Sequence, residues 1–310
     1  MKEKHVVIIG AGLGGLECGY ILAKNGMKVT VLEREGQVGG CLQTFRRGAA
    51  LFDTGFHYVG ALGEGESLHT LFSYFDLISL PWKKLDEDCF DEVVIGEDAF
   101  AFANKHQRFY ERMSARFPKE REGLKKYVDF LKQVGDHIFD SFNLQNEGTF
   151  TNSLFARSAY EFLNETIKDP LLRKVLSGTS LKMELNAPTL PLYTFAQIND
   201  SFIRSAWRLR GGGMQIADKL VGGIEAMGGE VKTRAIVTYI KEEDGKVVGV
   251  TVNDEDYLEA DWVISSTHPA YTVSLVGDSK KMRRIYRDRI ANLDNTFGMF
   301  TANIRLKPGM

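Results

Sequence analysis

Cysteine is scarce in this 310-residue chain: Cys18, Cys41 and Cys89 form an odd set with no C-x-x-C spacing. That excludes a disulfide framework and a cysteine-built zinc site, and it makes a reducing cytoplasm the simplest setting. No metal site of any kind is expected. Long apolar runs are also missing. Val6–Ile9, behind Lys2 and Lys4, stops at Gly10, well short of the apolar stretch of a secretory signal. Nothing approaches the roughly 18 apolar residues of a membrane span. Charge of one sign is absent as well: 39 basic side chains face 41 acidic ones, for a net charge of −2, which argues against a nucleic-acid partner. Hydrophobic residues at 44% and charged residues at 26% exclude disordered and collagen-like classes, and the length suits one or two domains with a sizeable core.

What is abundant is glycine, with 31 residues against only 7 prolines. Fourteen glycines lie in residues 1–65, five in 66–210, nine in 211–249 and three beyond, so two glycine-dense blocks flank a glycine-poor middle. In the first block, His5–Ile9 reads as a buried strand, Leu16–Asn25 as a helix ended by Gly26, and Lys28–Glu33 as a second strand, making a βαβ unit. The middle changes period. Leu124, Tyr127, Val128, Leu131, Val134 and Ile138 recur at helical spacing, and further helices are expected over Glu66–Leu77 and Ser158–Ser177, the latter broken at Asp169-Pro170. After Gly211–Gly213, Met214–Met227 reads as a helix. The segments Val231–Ile240, Lys246–Val252 and Tyr257–Ser265 then read as a three-stranded meander.

Gly10-Ala11-Gly12-Leu13-Gly14-Gly15 satisfies G-x-G-x-x-G between the first strand and the helix. Gly10 permits a tight turn, Gly12 allows backbone to approach a pyrophosphate, and Gly15 allows the helix to pack closely on the strand. The helix N-terminus offers free amides and positive dipole charge. Glu33, 18 residues beyond Gly15, closes the second strand where a carboxylate accepts ribose hydroxyls. The unit serves FAD or NAD alike. Gly39 and Gly40, just past Glu33 and Arg34, suit a ligand that continues beyond its pyrophosphate, although an ordinary glycine loop has the same composition.

The stretch VVIIGAGLGGLECGYILAKNGMKVTVLEREGQVGGCLQTF resembles the N-terminus of FAD flavoproteins of the phytoene desaturase and amine oxidase type. GGCLQTF followed by FDTGFHYVG is similar to the retinol saturase (all-trans-retinol 13,14-reductase) branch, with Cys41 standing where phytoene desaturases more often carry arginine. LRGGGMQIADKL, GGEVKTRAIVTYI and ADWVISSTHP look like the second block of the same domain. The resemblance spans nearly the whole chain and is strong over residues 5–60 and 208–269. It implies an α/β fold: a Rossmann-like FAD-binding domain, βαβ plus β-meander, in residues 1–65 and 205–290, with a mostly helical α+β substrate domain inserted at 66–204. Residues 291–310, strand-like from Thr296 to Leu306, would begin a further substrate-domain strand. The cofactor it implies is FAD, held by Gly10, Gly12, Leu13, Gly14, Gly15, Glu33, Arg34, Gly39, Gly40 and Cys41, with Gly55 near the flavin, Val237 near the adenine and Ser265 close by.

The activity so implied is hydride transfer at the flavin to or from a carbon–carbon double bond of an apolar isoprenoid or polyene, with His57 and Tyr58 as candidate proton donors. Either of these residues serves equally well as a structural hydrogen-bonding group. Phe75, Phe102, Phe109, Phe130, Phe139 and Phe142 suit an apolar tunnel or a plain core. Alternatives within the class are a phytoene-desaturase-like dehydrogenase or isomerase and an amine oxidase; outside it, a prenyl-binding protein of the Rab dissociation inhibitor type. Family members continue past the equivalent of Met310 into a further cofactor-binding segment, so the resemblance also implies a C-terminally truncated chain. Such a chain is either an inactive fragment or one completed by a partner that supplies the missing segment. An apolar substrate implies possible peripheral membrane contact.

Overall fold

The computed structural model describes residues 4–139, 149–184, 186–277, 279–295 and 298–307. They form two compact units, one comprising the chain up to His57, Phe75–Leu80 and everything from Gly211 on, the other comprising Tyr58–Tyr74 and Pro81–Arg210.

The first unit is built on a parallel sheet whose strands run, edge to edge, Glu230–Lys232, Lys28–Leu32, His5–Ile9 and Trp262–Ser265. Val6, Val7, Ile8 and Ile9 are all buried, as β-branched runs are when both faces of a central parallel strand are covered. The helix Leu13–Lys24 returns the chain to the second strand and buries Gly15, Leu16, Gly19 and Ala23. Gly15, Gly19 and Ala23 repeat every four residues, and their small size lets the helix lie close to the sheet. The helix Met214–Ala226 packs beside it: a methyl at Gly223 would sit 2.4 Å from the Tyr20 ring. Thr44–Arg47 and Ala50–Asp53 form a hairpin with Phe45 stacked on Phe52.

The meander differs from the expected one. Its strands are Val237–Glu243, Lys246–Val252 and Asp256–Glu259, while the two outer segments of sequence divide and give Glu230–Lys232 and Trp262–Ser265 to the parallel sheet. Arg234 takes a left-handed φ of +54°, and Asp261 leaves the meander because its N–H donates to the His5 carbonyl while its carboxylate accepts from the His5 N–H. Residues 298–307 carry no strand, in contrast to the extended stretch expected there.

The second unit is a helical core with two small sheets. Arg121–Asp136 lies against Leu192–Arg204, bringing Leu124, Tyr127 and Leu131 into one cluster with Phe195, Ala196 and Ile203. The expected break at Asp169-Pro170 separates Ala159–Thr166 from Pro170–Leu176. Asp169 caps the second helix by accepting from the Leu171 and Leu172 N–H groups, and proline fits the first turn, where no donor is needed. Asp200, 2% exposed, accepts from His106 Nε2 at 2.7 Å and Arg204 Nε at 2.5 Å. The strands Val59–Gly60 and Trp82–Lys84 flank Ala206–Leu209, and Asp91–Ile95 pairs with Asp98–Phe102, so this region holds more strand than its sequence suggests. Phe102 and Phe109 are core residues, Phe130 is half-buried and Phe139 is exposed. Phe75 is buried in the first unit beside Tyr20, and Phe142 lies outside the described residues.

Gly60 passes so close to Leu192–Arg204 that a Cβ would lie 2.4 Å from the Ser201 carbonyl carbon and 2.6 Å from the Phe202 nitrogen. Backbone on both sides cannot rotate away, so Gly60→Ala is expected to destabilise the protein by about 2 kcal/mol or more. Chemical denaturation followed by circular dichroism measures this, and an unmoved midpoint would contradict the close approach.

Candidate functional site

The site grows from the end of the first strand. Gly10 adopts φ of +98°, a left-handed backbone that turns the chain directly from strand to helix, and its N–H donates to the Leu32 carbonyl. Gly12 is the N-cap of Leu13–Lys24, and no side chain caps its amides. Gly15 sits where a Cβ would be 2.0 Å from the Gly10 carbonyl oxygen, so only glycine lets the first helical turn touch the strand end. Gly12 and Gly14 are the opposite case: a Cβ on either would meet nothing within 4 Å. The turn therefore combines a packed side at Gly15 with an open side at Gly12 and Gly14, the arrangement of an anion cradle.

Glu33 stands over this turn from the second strand. One carboxylate oxygen accepts from the Ala11 N–H at 2.9 Å and the other from the Glu35 N–H at 2.9 Å, each retaining a further lone-pair direction for a ligand hydroxyl. The Gly39–Gly40 loop closes the third side. Gly39, at φ of +104°, donates its N–H to the Ala11 carbonyl at 2.7 Å, and a Cβ on Gly40 would lie 3.3 Å from the Gly12 Cα. Cys41 follows in an exposed turn, and its carbonyl accepts from Thr54 Oγ1 at 3.2 Å; the Cβ position of Gly55 lies 3.6 Å from that same carbonyl. Thus Gly10, Gly12, Leu13, Gly14, Gly15, Glu33, Gly39 and Gly40 converge on one place, with Cys41 and Gly55 adjoining it. Arg34 points along its own loop and pairs with Glu35 at 3.0 Å.

Val237 and Ser265 are placed differently. Val237 is buried in the cluster with Val7, Ile9 and Leu32, and its carbonyl accepts from the Tyr271 hydroxyl at 3.1 Å. Ser265 hydrogen-bonds to Thr267 and Thr272. It is the next residue, Ser266, that meets the glycine turn, donating to the Gly10 carbonyl at 3.1 Å. Two residues that sequence reasoning passed over thus shape the site. Ser266 is one. Asp53 is the other, whose carboxylate accepts from the Gly213 N–H at 2.7 Å and so fixes the start of Met214–Ala226 beside Gly39. The signals were present in the quoted FDTG, GGGM and SST, but their pairing is tertiary.

The two candidate proton donors part company. His57 is exposed at the end of the first unit's initial segment. Tyr58 belongs to the second unit, where its hydroxyl donates to Asp91 Oδ2 at 2.5 Å and accepts from Lys182 Nζ at 2.7 Å. Burial first, then the Asp91 carboxylate, push its phenol far above the ordinary tyrosine range. For Asp91, burial opposes ionisation, but the hydrogen bonds from Tyr58 and Lys182 outweigh it and hold the carboxyl below its usual value. Among the described residues, no group of histidine, cysteine and acidic side chains is arranged to hold a metal ion, and no helix is long and apolar enough to cross a membrane.

A strand, a glycine turn, an uncapped helix and an acid at the end of the neighbouring strand define a dinucleotide-binding α/β unit. A family model of flavin containing amine oxidoreductases matches residues 13–296, and the chain belongs to that family. It is 31% identical over 291 residues to the all-trans-retinol 13,14-reductase of Danio rerio, covering 85% of this chain and 47% of that protein. It is 25% identical over 287 residues to a lycopene-forming phytoene desaturase of Paracoccus sp., covering 85% of this chain and 54% of that one. In fold it is similar to a solved oxidoreductase from Methanosarcina mazei, with a TM-score of 0.66 at 23% identity over 93% of this chain and 65% of that one. The chain spans about half the length of the curated relatives it matches. Membership implies a flavin cofactor, and the open backbone at Gly12 and Gly14 beneath free helix amides fits one.

The Tyr58–Asp91–Lys182 cluster generates a pH dependence. Asp91 is depressed in the folded state, so its contribution is fully present above the unfolded carboxyl value near 4 and is lost as pH falls through the lower folded value. Asp91→Asn is therefore expected to cost about 1 kcal/mol at pH 7 and progressively less towards pH 3. Thermal melts of both proteins across that range measure it; a constant difference would show that the charge on Asp91 carries nothing.

Proposed function

We propose that this chain binds FAD and works as an FAD-dependent oxidoreductase on carbon–carbon double bonds of an apolar isoprenoid or polyene. The observation that carries the cofactor assignment is the contrast between Gly15, which is filled, and Gly12 and Gly14, which open onto space at an uncapped helix N-terminus with Glu33 alongside. The substrate class rests on the curated relatives, whose names are those of a retinol reductase and a phytoene desaturase.

In this reading the amides of the first helical turn and the backbone of Gly12 receive the pyrophosphate, Glu33 takes the adenosine ribose, and the Gly39–Gly40 loop runs beside the ribityl chain. When bound, the flavin supplies a centre that accepts or donates hydride. The protein's own part is to hold the cofactor and to supply a proton to the second carbon of the double bond. That role is assigned to His57, since the Tyr58 hydroxyl belongs to the second unit and donates its proton to Asp91 there. Peripheral membrane contact belongs to the same proposal and is supported by the exposed helix Arg284–Ala291. Exposed Arg283, Arg284 and Arg289 there accompany Ile285 and Tyr286, which are 77% and 50% exposed.

Purified protein titrated with FAD tests the cofactor. Gly12→Val is expected to weaken FAD binding at least tenfold while leaving the melting temperature of the apo-protein close to wild type, because the added side chain enters space that only the ligand fills. Gly15→Ala is expected to destabilise the apo-protein itself. Equal FAD affinity in Gly12→Val would misplace the cradle. Retinol supplied under argon to protein whose flavin has been reduced with dithionite, and a carotenoid and an amine supplied in air to the oxidised protein, then separate a double-bond reductase or desaturase from an amine oxidase, and turnover of the amine alone would overturn the substrate assignment.

Sedimentation with vesicles containing phosphatidylserine tests the membrane contact. Wild-type protein is expected to pellet, and Arg283→Glu/Arg284→Glu to pellet several-fold less. Wild-type protein left wholly in the supernatant would remove that part of the proposal.

A further inference from the structure

Arg234 stands out among the residues around Glu33. It is a long, β-substituted side chain on a backbone at φ of +54°, a conformation that glycine or asparagine adopts far more readily. The surroundings impose it. The Arg234 N–H donates to the Glu35 carbonyl at 3.0 Å, the following Ala235 N–H donates to the Glu33 carbonyl at 2.8 Å, and the Asn253 side-chain amide donates to the Arg234 carbonyl at 3.2 Å. Asn253 also accepts from the Ile236 N–H at 2.9 Å, so the meander clamps this turn onto the end of the second strand.

The side chain does not repay that strain within the protein. Its guanidinium lies beside Gly36, with Nε 3.5 Å and Nη2 3.8 Å from the position a Cβ there would take. Among the described residues no carboxylate or other acceptor meets it. The neighbouring Arg34 is unlike it in this respect, since Arg34 is held by Glu35. A strained backbone, tied to the Glu33 and Glu35 carbonyls, thus presents a planar cation at Gly36, three residues beyond Glu33. In the reading proposed above, on which this step rests, Glu33 receives the adenosine ribose, and the base attached to that ribose is the nearest planar, electron-rich group such a cation could engage.

We propose that Arg234 recognises the adenine end of the dinucleotide by stacking its guanidinium on the base, and that the left-handed turn at 234 is retained for that purpose. Arginine suits the role better than lysine because its flat, weakly hydrated cation stacks on aromatic faces. The consequence is a residue that distinguishes FAD from FMN, which has no adenosine.

Arg234→Gly and Arg234→Asn separate this role from a structural one, because both residues accept a left-handed φ. Each variant is compared with wild type for melting temperature without ligand and for affinity towards FAD, ADP and FMN by calorimetry. The expected result is an unchanged or raised apo melting temperature, five- to tenfold weaker binding of FAD and ADP, and no change for FMN. Unchanged FAD and ADP affinity in both variants, with wild type binding normally, overturns the assignment of Arg234 and leaves the cofactor reading intact. An equal loss for FMN, or a lowered apo melting temperature in both variants, also overturns it, since either would mean that the turn and not the base is served. Wild-type protein that binds neither FAD nor ADP defeats the cofactor reading itself.

Discussion

The contact between Gly15 and the Gly10 carbonyl is the constraint around which the first unit is organised. Because position 15 carries no side chain, the helix Leu13–Lys24 begins directly on the end of the strand His5–Ile9, and its unpaired amides are delivered to the strand's carboxyl edge. A single methyl at that point would force the helix start away from the strand. Ser266 reinforces the geometry from the neighbouring strand by bonding the same carbonyl, so three chain segments meet at one backbone oxygen.

The electrostatics follow from that placement. Free N–H groups and a helix dipole favour negative charge at Gly12, while the Glu33 carboxylate lies one residue away and is held by two backbone amides. Amides that favour an anion and an acidic side chain are thereby kept side by side, the carboxylate being held by the Ala11 and Glu35 amides. The same economy of donors appears in the second unit, where Asp200 serves His106 and Arg204, and Asp91 serves Tyr58 and Lys182. There the charges hold a helical core together, and nothing about them requires a ligand.

Much of the nucleotide-binding unit was legible in the sequence because its determinants are local. The strand His5–Ile9, the glycine turn, the helix and Glu33 lie within 33 residues, and the distances between them are set by strand and helix geometry. The break at Asp169-Pro170 was legible for the same reason. The meander was misjudged at both ends, since the division of 231–240 and 257–265 between two sheets depends on Asn253 and on the His5–Asp261 pairing, each joining residues far apart in sequence. Tyr58 looked like a companion of His57. Its neighbour Val59 enters a strand against Trp207, and that pairing takes it into the other unit.

By itself, then, the sequence determined the local frame of the candidate site: a glycine pattern in register with strand, helix and acid. Tertiary structure decided which side chains share that site. It put Ser266 at the turn in place of Ser265, tied Asp53 to Gly213, withdrew the Tyr58 proton into a pairing with Asp91, and brought Arg234 to the loop after Glu33. The physical reason is that backbone conformation follows from neighbouring residues, whereas the partner of a polar side chain is set by which distant strand lies beside it.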